Sequence, residues 1–284
     1  MESYYIIKST LNNNTKYYYV NISESDYEYN ILIGGIKIKC VNIIINKKRN
    51  VALLELFQHH QKCSLFSDLE KGDEVKDLLR NSLYFIISKY PVLKYIELID
   101  NSFIICKNKK RISLPDLTFV KYNKTWYEKY FNAIPSKNSK DNIKIIKKQI
   151  LKNINKKIKL TLDDFINEYY TDSIFQKQNM INIIKNMYFK NIIFKDFLDK
   201  IEDYDCIFYE NIFNKKIGSL LQGTEWIIKI KTIQEYNITS EIINTEKIKN
   251  NDNLNILFKK LKNLNIKELT QKGGNFCDSY LKNI

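Results

Sequence analysis

Val51-Ala52-Leu53-Leu54-Glu55-Leu56-Phe57-Gln58, followed after a loop by Leu69-Glu70-Lys71-Gly72-Asp73-Glu74 and then by Lys94-Tyr95-Ile96-Glu97-Leu98, is the stretch that decides the fold class. The first and last runs are short, apolar and bounded by turn residues, as strands are. Between them Val75, Leu79, Leu83, Ile86 and Tyr90 recur at helical spacing, and Pro91 ends the run. The order is strand, loop, helix, strand. Upstream, residues 16–22, 29–33 and 36–45 are β-rich, with a two-residue hairpin turn expected at Gly34-Gly35 and another turn at residues 46–50. Downstream, Ser102–Cys106 and Arg111–Leu114 read as a hairpin, and one helix is expected over Pro115–Phe131 with proline in its first turn.

Beyond Pro135 the pattern changes. Ile143, Ile146, Ile150, Ile154 and Ile158 make one apolar stripe of a helix over 141–159, whose other faces carry lysine. From Leu160 onward the reading is mostly helical, with Thr161 as an N-cap ahead of Asp163-Asp164 and further helices over 173–191, 194–217 and 253–270. Gly218 and Gly223 bracket a break before Thr224-Glu225-Trp226. The chain is thus expected to be α+β, with a mixed sheet and helices over 1–136, a basic amphipathic helix over 137–159, and a mainly helical region with a mobile tail over 160–284.

Composition narrows the class. Of 284 residues 44% are hydrophobic and 13% aromatic, too many for disorder, and Gly 7 with Pro 3 excludes collagenous and linker chains. No stretch approaches the roughly 18 apolar residues that span a bilayer, and Met1–Tyr5 lacks the layout of a secretion signal. Cys40, Cys63, Cys106, Cys206 and Cys277 are scattered and odd in number, so no disulfide framework is expected and a reducing compartment is. His59-His60-x-x-Cys63 looks like half a metal site. Adjacent residues of an extended chain point to opposite sides, however, so no metal is expected there.

The net charge of +14 calls for an anionic partner. Residues 1–136 hold 20 basic and 14 acidic residues, 137–159 hold nine lysines and one aspartate, and 160–284 hold 17 of each. More than half of the excess therefore lies in the short lysine segment, where Lys147, Lys148, Lys152, Lys156 and Lys157 are the candidate contacts to nucleic acid or an acidic protein. Only Arg49, Arg80 and Arg111 are arginine, and lysine favours phosphate over base-edge contact. An AT-rich coding bias toward lysine, asparagine and isoleucine would also give this charge.

Asn123-Lys124-Thr125-Trp126-Tyr127-Glu128-Lys129-Tyr130-Phe131, together with the strand–loop–helix–strand unit, resembles the GNAT-type N-acetyltransferases. Trp126-Tyr127-Glu128-Lys129 is similar to that family's Leu-Tyr-Glu-Lys core. The resemblance implies a GNAT-like sheet binding acetyl-CoA, with the cofactor pyrophosphate held at Gly72, Asp73 and Asn123. It implies Tyr127 as general acid and Glu55 or His59 as general base, transferring an acetyl group to an amine. The chain departs from the family loop at Leu69 and Glu74, and a carboxylate at a helix N-terminus competes with phosphate. The Lys/Asn/Ile-rich style resembles proteins of nucleocytoplasmic large DNA viruses, which implies host cytoplasm, nucleus or virion interior and a non-catalytic binding role as the alternative.

Overall fold

The computed structural model describes residues 2–11, 14–70, 72–105, 111–169, 191–201, 206–234 and 240–244, with the isolated positions 185 and 259. The chain is α+β and divides into two compact units, Met1–Lys94 with the chain from Ile233 onward, and Tyr95–Thr232. The charge shift placed a boundary after residue 136, but Pro135 lies within the second unit, paired through a short strand to residue Trp226.

The first unit is an antiparallel meander. Strands β1 (Glu2–Leu11), β2 (Asn14–Glu24), β3 (Glu28–Gly34), β4 (Lys39–Asn46) and β5 (Val51–Phe57) pair in chain order. Helix α1 (Asp73–Lys89) lays Leu78, Leu79, Leu83, Phe85 and Ile86 into this unit's core, and the Phe85 ring meets Tyr5 of β1 edge-on at 5.4 Å. A late strand, Ser240–Asn244, pairs with the outer side of β1.

Two expectations change here. The turn at Gly34 is longer than two residues: the Gly35 N–H donates to Ile38 O at 2.9 Å, and the register slips between Ile33 and Gly34. The second change is covalent. Cys40 and Cys63, both fully buried, form a disulfide with Cα atoms 5.8 Å apart, which corrects the expectation of unpaired cysteines. Hairpin register brings them together. Gln58 at the end of β5 donates its N–H to Cys40 O, and the 3-10 turn Gln61–Cys63 then folds back over β4.

In the second unit, β6 (Tyr95–Asp100) is followed by the hairpin β7 (Phe103–Ile105) and β8 (Arg111–Ser113). The helix expected over 115–131 is two helices, α2 (Leu114–Tyr122) and α3 (Trp126–Phe131). Asn123 is left-handed at φ 56° and ends α2, while Thr125 and Glu128 form a reciprocal capping box that starts α3. The short strand β9 (Ile134–Pro135) leads to α4 (Lys140–Ile154), then α5 (Leu162–Tyr169), α6 (Phe194–Ile201) and α7 (Cys206–Lys216). The segment after Gly223 is a strand, β10 (Thr224–Lys229), antiparallel to both β6 and β9. Its side chains alternate, with Thr224, Trp226 and Ile228 buried, so period two decides this element. Thr161 caps α5 as expected, accepting the Asp164 N–H at 3.2 Å. The helices expected over 173–191 and 253–270 fall almost wholly outside the described residues, as does the Gly273-Gly274 tail.

Candidate anion-binding site

Helix α4 owes its orientation to its isoleucines. Ile143, Ile150 and Ile154 are buried, and so is Ile158 just beyond the helix, while Ile145 lies on the open side at 65% exposure. With that stripe inward, Lys140, Lys144, Lys148 and Lys152 follow one another every fourth residue on the exposed side of α4, and Lys156, also exposed, comes just after the helix ends. Each step within α4 advances about 6 Å along the axis and turns about 40°, so Lys140 to Lys152 form a slowly winding row, and Lys156 follows just beyond the end of the helix. Of the nine lysines in 137–159, eight are exposed.

Lys147 is the exception. Its Nζ donates to Glu128 Oε1 at 2.5 Å, with only 20% of the side chain exposed, and it stands over the Phe119 and Trp226 rings at 5.2 and 5.4 Å. It is therefore a structural tie between α3 and α4, while Lys148, Lys152, Lys156 and Lys157 remain open to a partner.

The row ends at a pocket of about 210 Å³ inside the second unit. Lys156, Lys157, Lys159 and Lys216 line it with Asn153, and Phe165 and Phe194 contribute apolar wall. Backbone pairing holds this segment in place: Ile158 N–H donates to Ile192 O at 2.8 Å, Asn191 N–H to Ile158 O at 3.0 Å and Phe194 N–H to Lys156 O at 3.0 Å. Sequence reasoning found the lysines of α4 but not Lys159 or Lys216 as their neighbours, because Lys216 comes from α7 through the tertiary fold.

The residues suggested by the acetyltransferase resemblance are divided between the units. Gly72, Asp73, Glu55 and His59 belong to the first, Tyr127 and Asn123 to the second. At the start of α1, Gly72 has φ 87° and open space where a side chain would stand. Glu74, in the first turn of α1, reaches back to the preceding loop and to β2, accepting the Glu70 N–H at 2.7 Å and the Asn14 side-chain amide at 2.8 Å, 3.3 Å from Lys16 Nζ. Asp73 pairs with Lys76. Glu55 is exposed on β5 and accepts from the Asn42 side-chain amide. His59 Nε2 lies 3.0 Å from Leu69 O, and His60 Nδ1 accepts the Lys62 N–H at 3.0 Å.

Tyr127 is buried between Trp126 and Phe131, with ring centroids at 5.0 and 6.2 Å. Burial, reinforced by the Asp100 carboxylate, pushes its phenol well above the usual range. A phenol held there keeps its proton within the core. Trp226, fully buried, donates its Nε1–H to Thr224 Oγ1 at 2.9 Å and is core, not a stacking platform. Among the described residues no helix is long and apolar enough to cross a membrane, and no cluster of three or more His, Cys, Asp or Glu is arranged to hold a metal ion. The chain matches no protein-family model, no curated protein and no solved structure, so its own residues carry the reading of the site.

Proposed function

We infer that the protein is a non-catalytic binding protein that holds nucleic acid by its phosphate backbone along the outer face of α4. The observation that carries this is the lysine row: four exposed ammonium groups at every fourth residue of a helix anchored by its isoleucines, with Lys156 exposed just beyond its end. Lysine supplies a compact charge without the planar fork that reads guanine, so the contact favours phosphates over base edges. Phosphate contacts release counterions, and affinity then falls linearly with salt on a logarithmic scale at about 0.9 unit per phosphate neutralised on duplex DNA.

The test is a salt series of binding titrations to duplex and single-stranded oligonucleotides, on wild type and on Lys144→Gln/Lys148→Gln/Lys152→Gln. The triple variant is expected to reduce the slope by about 2–3. A slope that the variant leaves unchanged would move the contact elsewhere.

An acyl-CoA-dependent N-acyltransferase remains a second reading, favoured by Gly72 at the start of α1, where nothing lies within 4 Å of an added side-chain carbon. Against it, Asp73 and Glu74 place two carboxylates in the first turn of that helix, where acetyl-CoA pyrophosphate would bind.

A further inference from the structure

We propose that α4 lies in the major groove of duplex DNA and reads A·T base pairs through Asn142, Ile145 and Gln149. The proposal rests on the backbone-binding reading above. It adds the form of the nucleic acid and the residues that face the bases.

The helix stands proud of its own unit. At about 100° per residue, the buried Ile143, Ile150 and Ile154 fall within about 40° of its circumference, and the exposed positions span about 200° on the opposite side. An α-helix with its side chains is about 10–12 Å across, and the major groove of B-form DNA is about 12 Å wide. A helix attached along so narrow a strip leaves most of its surface to enter that groove.

The lysines border this surface and leave its middle to other chemistry. The row winds from Lys140 to Lys152, and Ile145, Gln149 and Asn142 share about the next 60° of the exposed arc. Ile145 is 65% exposed, although isoleucine is among the residue types most often buried. Asn142 and Gln149 are exposed too, and among the described residues neither side chain has a hydrogen-bond partner.

These three side chains fit what an A·T pair displays in the major groove. The carboxamide of Asn or Gln meets adenine N6 and N7 with one acceptor and one donor, and an apolar side chain meets the thymine methyl. Asn142 and Gln149 lie about 10 Å apart along the axis, roughly three base-pair steps, with Ile145 between them. The lysines alongside hold phosphates of the strand that borders the groove. Asp141 is the acidic residue of the helix and lies in its first turn, where a carboxylate complements the positive helix end. The phosphate contact therefore centres on Lys144, Lys148 and Lys152, beyond that turn.

The experiment is fluorescence anisotropy at fixed salt with A·T, G·C and inosine·cytosine DNA duplexes of one length, an A·U RNA duplex and the single strands. Inosine lacks the guanine amino group, so its pair with cytosine resembles A·T in the minor groove and G·C in the major groove. Wild type is expected to bind A·T DNA about 10-fold more tightly than G·C or inosine·cytosine DNA, toward the low end of what base-edge pairs contribute. The RNA duplex should show no such gain, because its major groove is too deep and narrow for side chains to read. Asn142→Ala/Gln149→Ala should bring A·T affinity down to that of G·C. Lys144→Gln/Lys148→Gln should weaken both DNA duplexes alike and keep their ratio. Replacing thymine by uracil should weaken wild type and leave Ile145→Ala unmoved. All these positions are exposed, so each variant should melt with wild type.

Equal affinity for A·T and G·C DNA, or a preference that survives Asn142→Ala/Gln149→Ala, would overturn the groove proposal and leave the phosphate contact intact. Inosine·cytosine DNA bound as tightly as A·T, or binding to single strands alone, would do the same. Failure of every oligonucleotide to bind would overturn both readings.

Discussion

Asp116 accepts the Leu221 backbone N–H on both carboxylate oxygens, at 3.0 and 3.1 Å, although the two residues lie 105 positions apart. The bond closes the turn that leads into β10 onto the first turn of α2. Burial pushes the Asp116 carboxyl up to about 6, against the opposing pull of Ser113 and of the backbone amides of residues 220–222. Asp100, at the end of β6, is pushed up to about 6 by burial, with the nearby Asp116 charge adding to the shift. Asp100 Oδ2 is buried without a hydrogen-bond partner.

The two aspartates should therefore respond in opposite ways to amidation. A carboxyl whose folded pKa lies above the unfolded value of 3.8 binds its proton more tightly in the native state. Its stabilising contribution is fully present below that value and is lost as pH rises through about 6. Asp100→Asn makes the neutral form permanent and gives the unpartnered position a donor. It should raise the melting temperature at about pH 7.5 and gain nothing near pH 4, flattening the profile between. Asp116→Asn places an amide group against donors and should cost about 1–3 kcal/mol at neutral pH. Thermal melts across that pH range decide it, and equal destabilisation by both substitutions would sink the assignment.

The Cys40–Cys63 bond and Gly35 support the same corner of the first unit. An added side-chain carbon at Gly35 would lie 2.1 Å from the Lys62 carbonyl oxygen, which is backbone and cannot swing away. Cys63→Ser should lower stability by about 2–4 kcal/mol through the reopened loop. In reducing buffer wild type should melt close to Cys63→Ser. Gly35→Ala should melt below wild type with or without reductant, because its clash does not depend on the sulfur bond. A wild-type melting temperature unmoved by reductant would remove the disulfide from the account.

The legible parts of this fold are those in which local pattern and tertiary outcome coincide. The stripe Val75 to Ile86 gave α1, and the β-rich runs became β2 to β5 because turn residues punctuate them, although β2 is buried over five consecutive residues where no period-two pattern shows. The break between α2 and α3 was written in Thr125-x-x-Glu128, a capping box that the longer apolar run concealed. Thr224-Glu225-Trp226-Ile227-Ile228-Lys229 alternates with period two and was readable as β10, but the preceding glycines drew attention to a break. The disulfide and the Asp116–Leu221 bond were not readable, since each joins residues that only the completed fold brings together. At the candidate site the lysine row was visible in the spacing of one helix, and Lys216 was not, because it arrives from another.

The two functional readings separate at Glu74. On the backbone-binding reading this carboxylate is structural: it answers the Glu70 N–H and the nearly buried Lys16, whose side chain is 6% exposed. Calorimetric titration with acetyl-CoA should then give no saturable heat up to about millimolar, an affinity of about 4 kcal/mol. Glu74→Ala should lower stability by about 1–3 kcal/mol because Lys16 loses its carboxylate. Saturable binding to wild type that Gly72→Glu abolishes would instead put the acyltransferase reading first.

Adjacent lysines of α4 provide the sharpest internal control. Lys147 and Lys148 have the same chemistry and differ by one step of the helix, which turns one toward Glu128 and the Trp226 ring and the other to solvent. Lys147→Ala removes a partly desolvated ion pair and the packing of its stem, and leaves Glu128 to rely on the Thr125 cap alone. That should cost about 1–2 kcal/mol of stability. Lys148→Ala should leave the melt within about 0.5 kcal/mol, as exposed substitutions usually do. In oligonucleotide titrations the order reverses: Lys148→Ala should reduce the salt slope by about 1, and Lys147→Ala should leave it unchanged where the protein is folded. If both substitutions moved the slope equally, net charge alone would explain binding, and the face that the isoleucine stripe turns outward would have no special role.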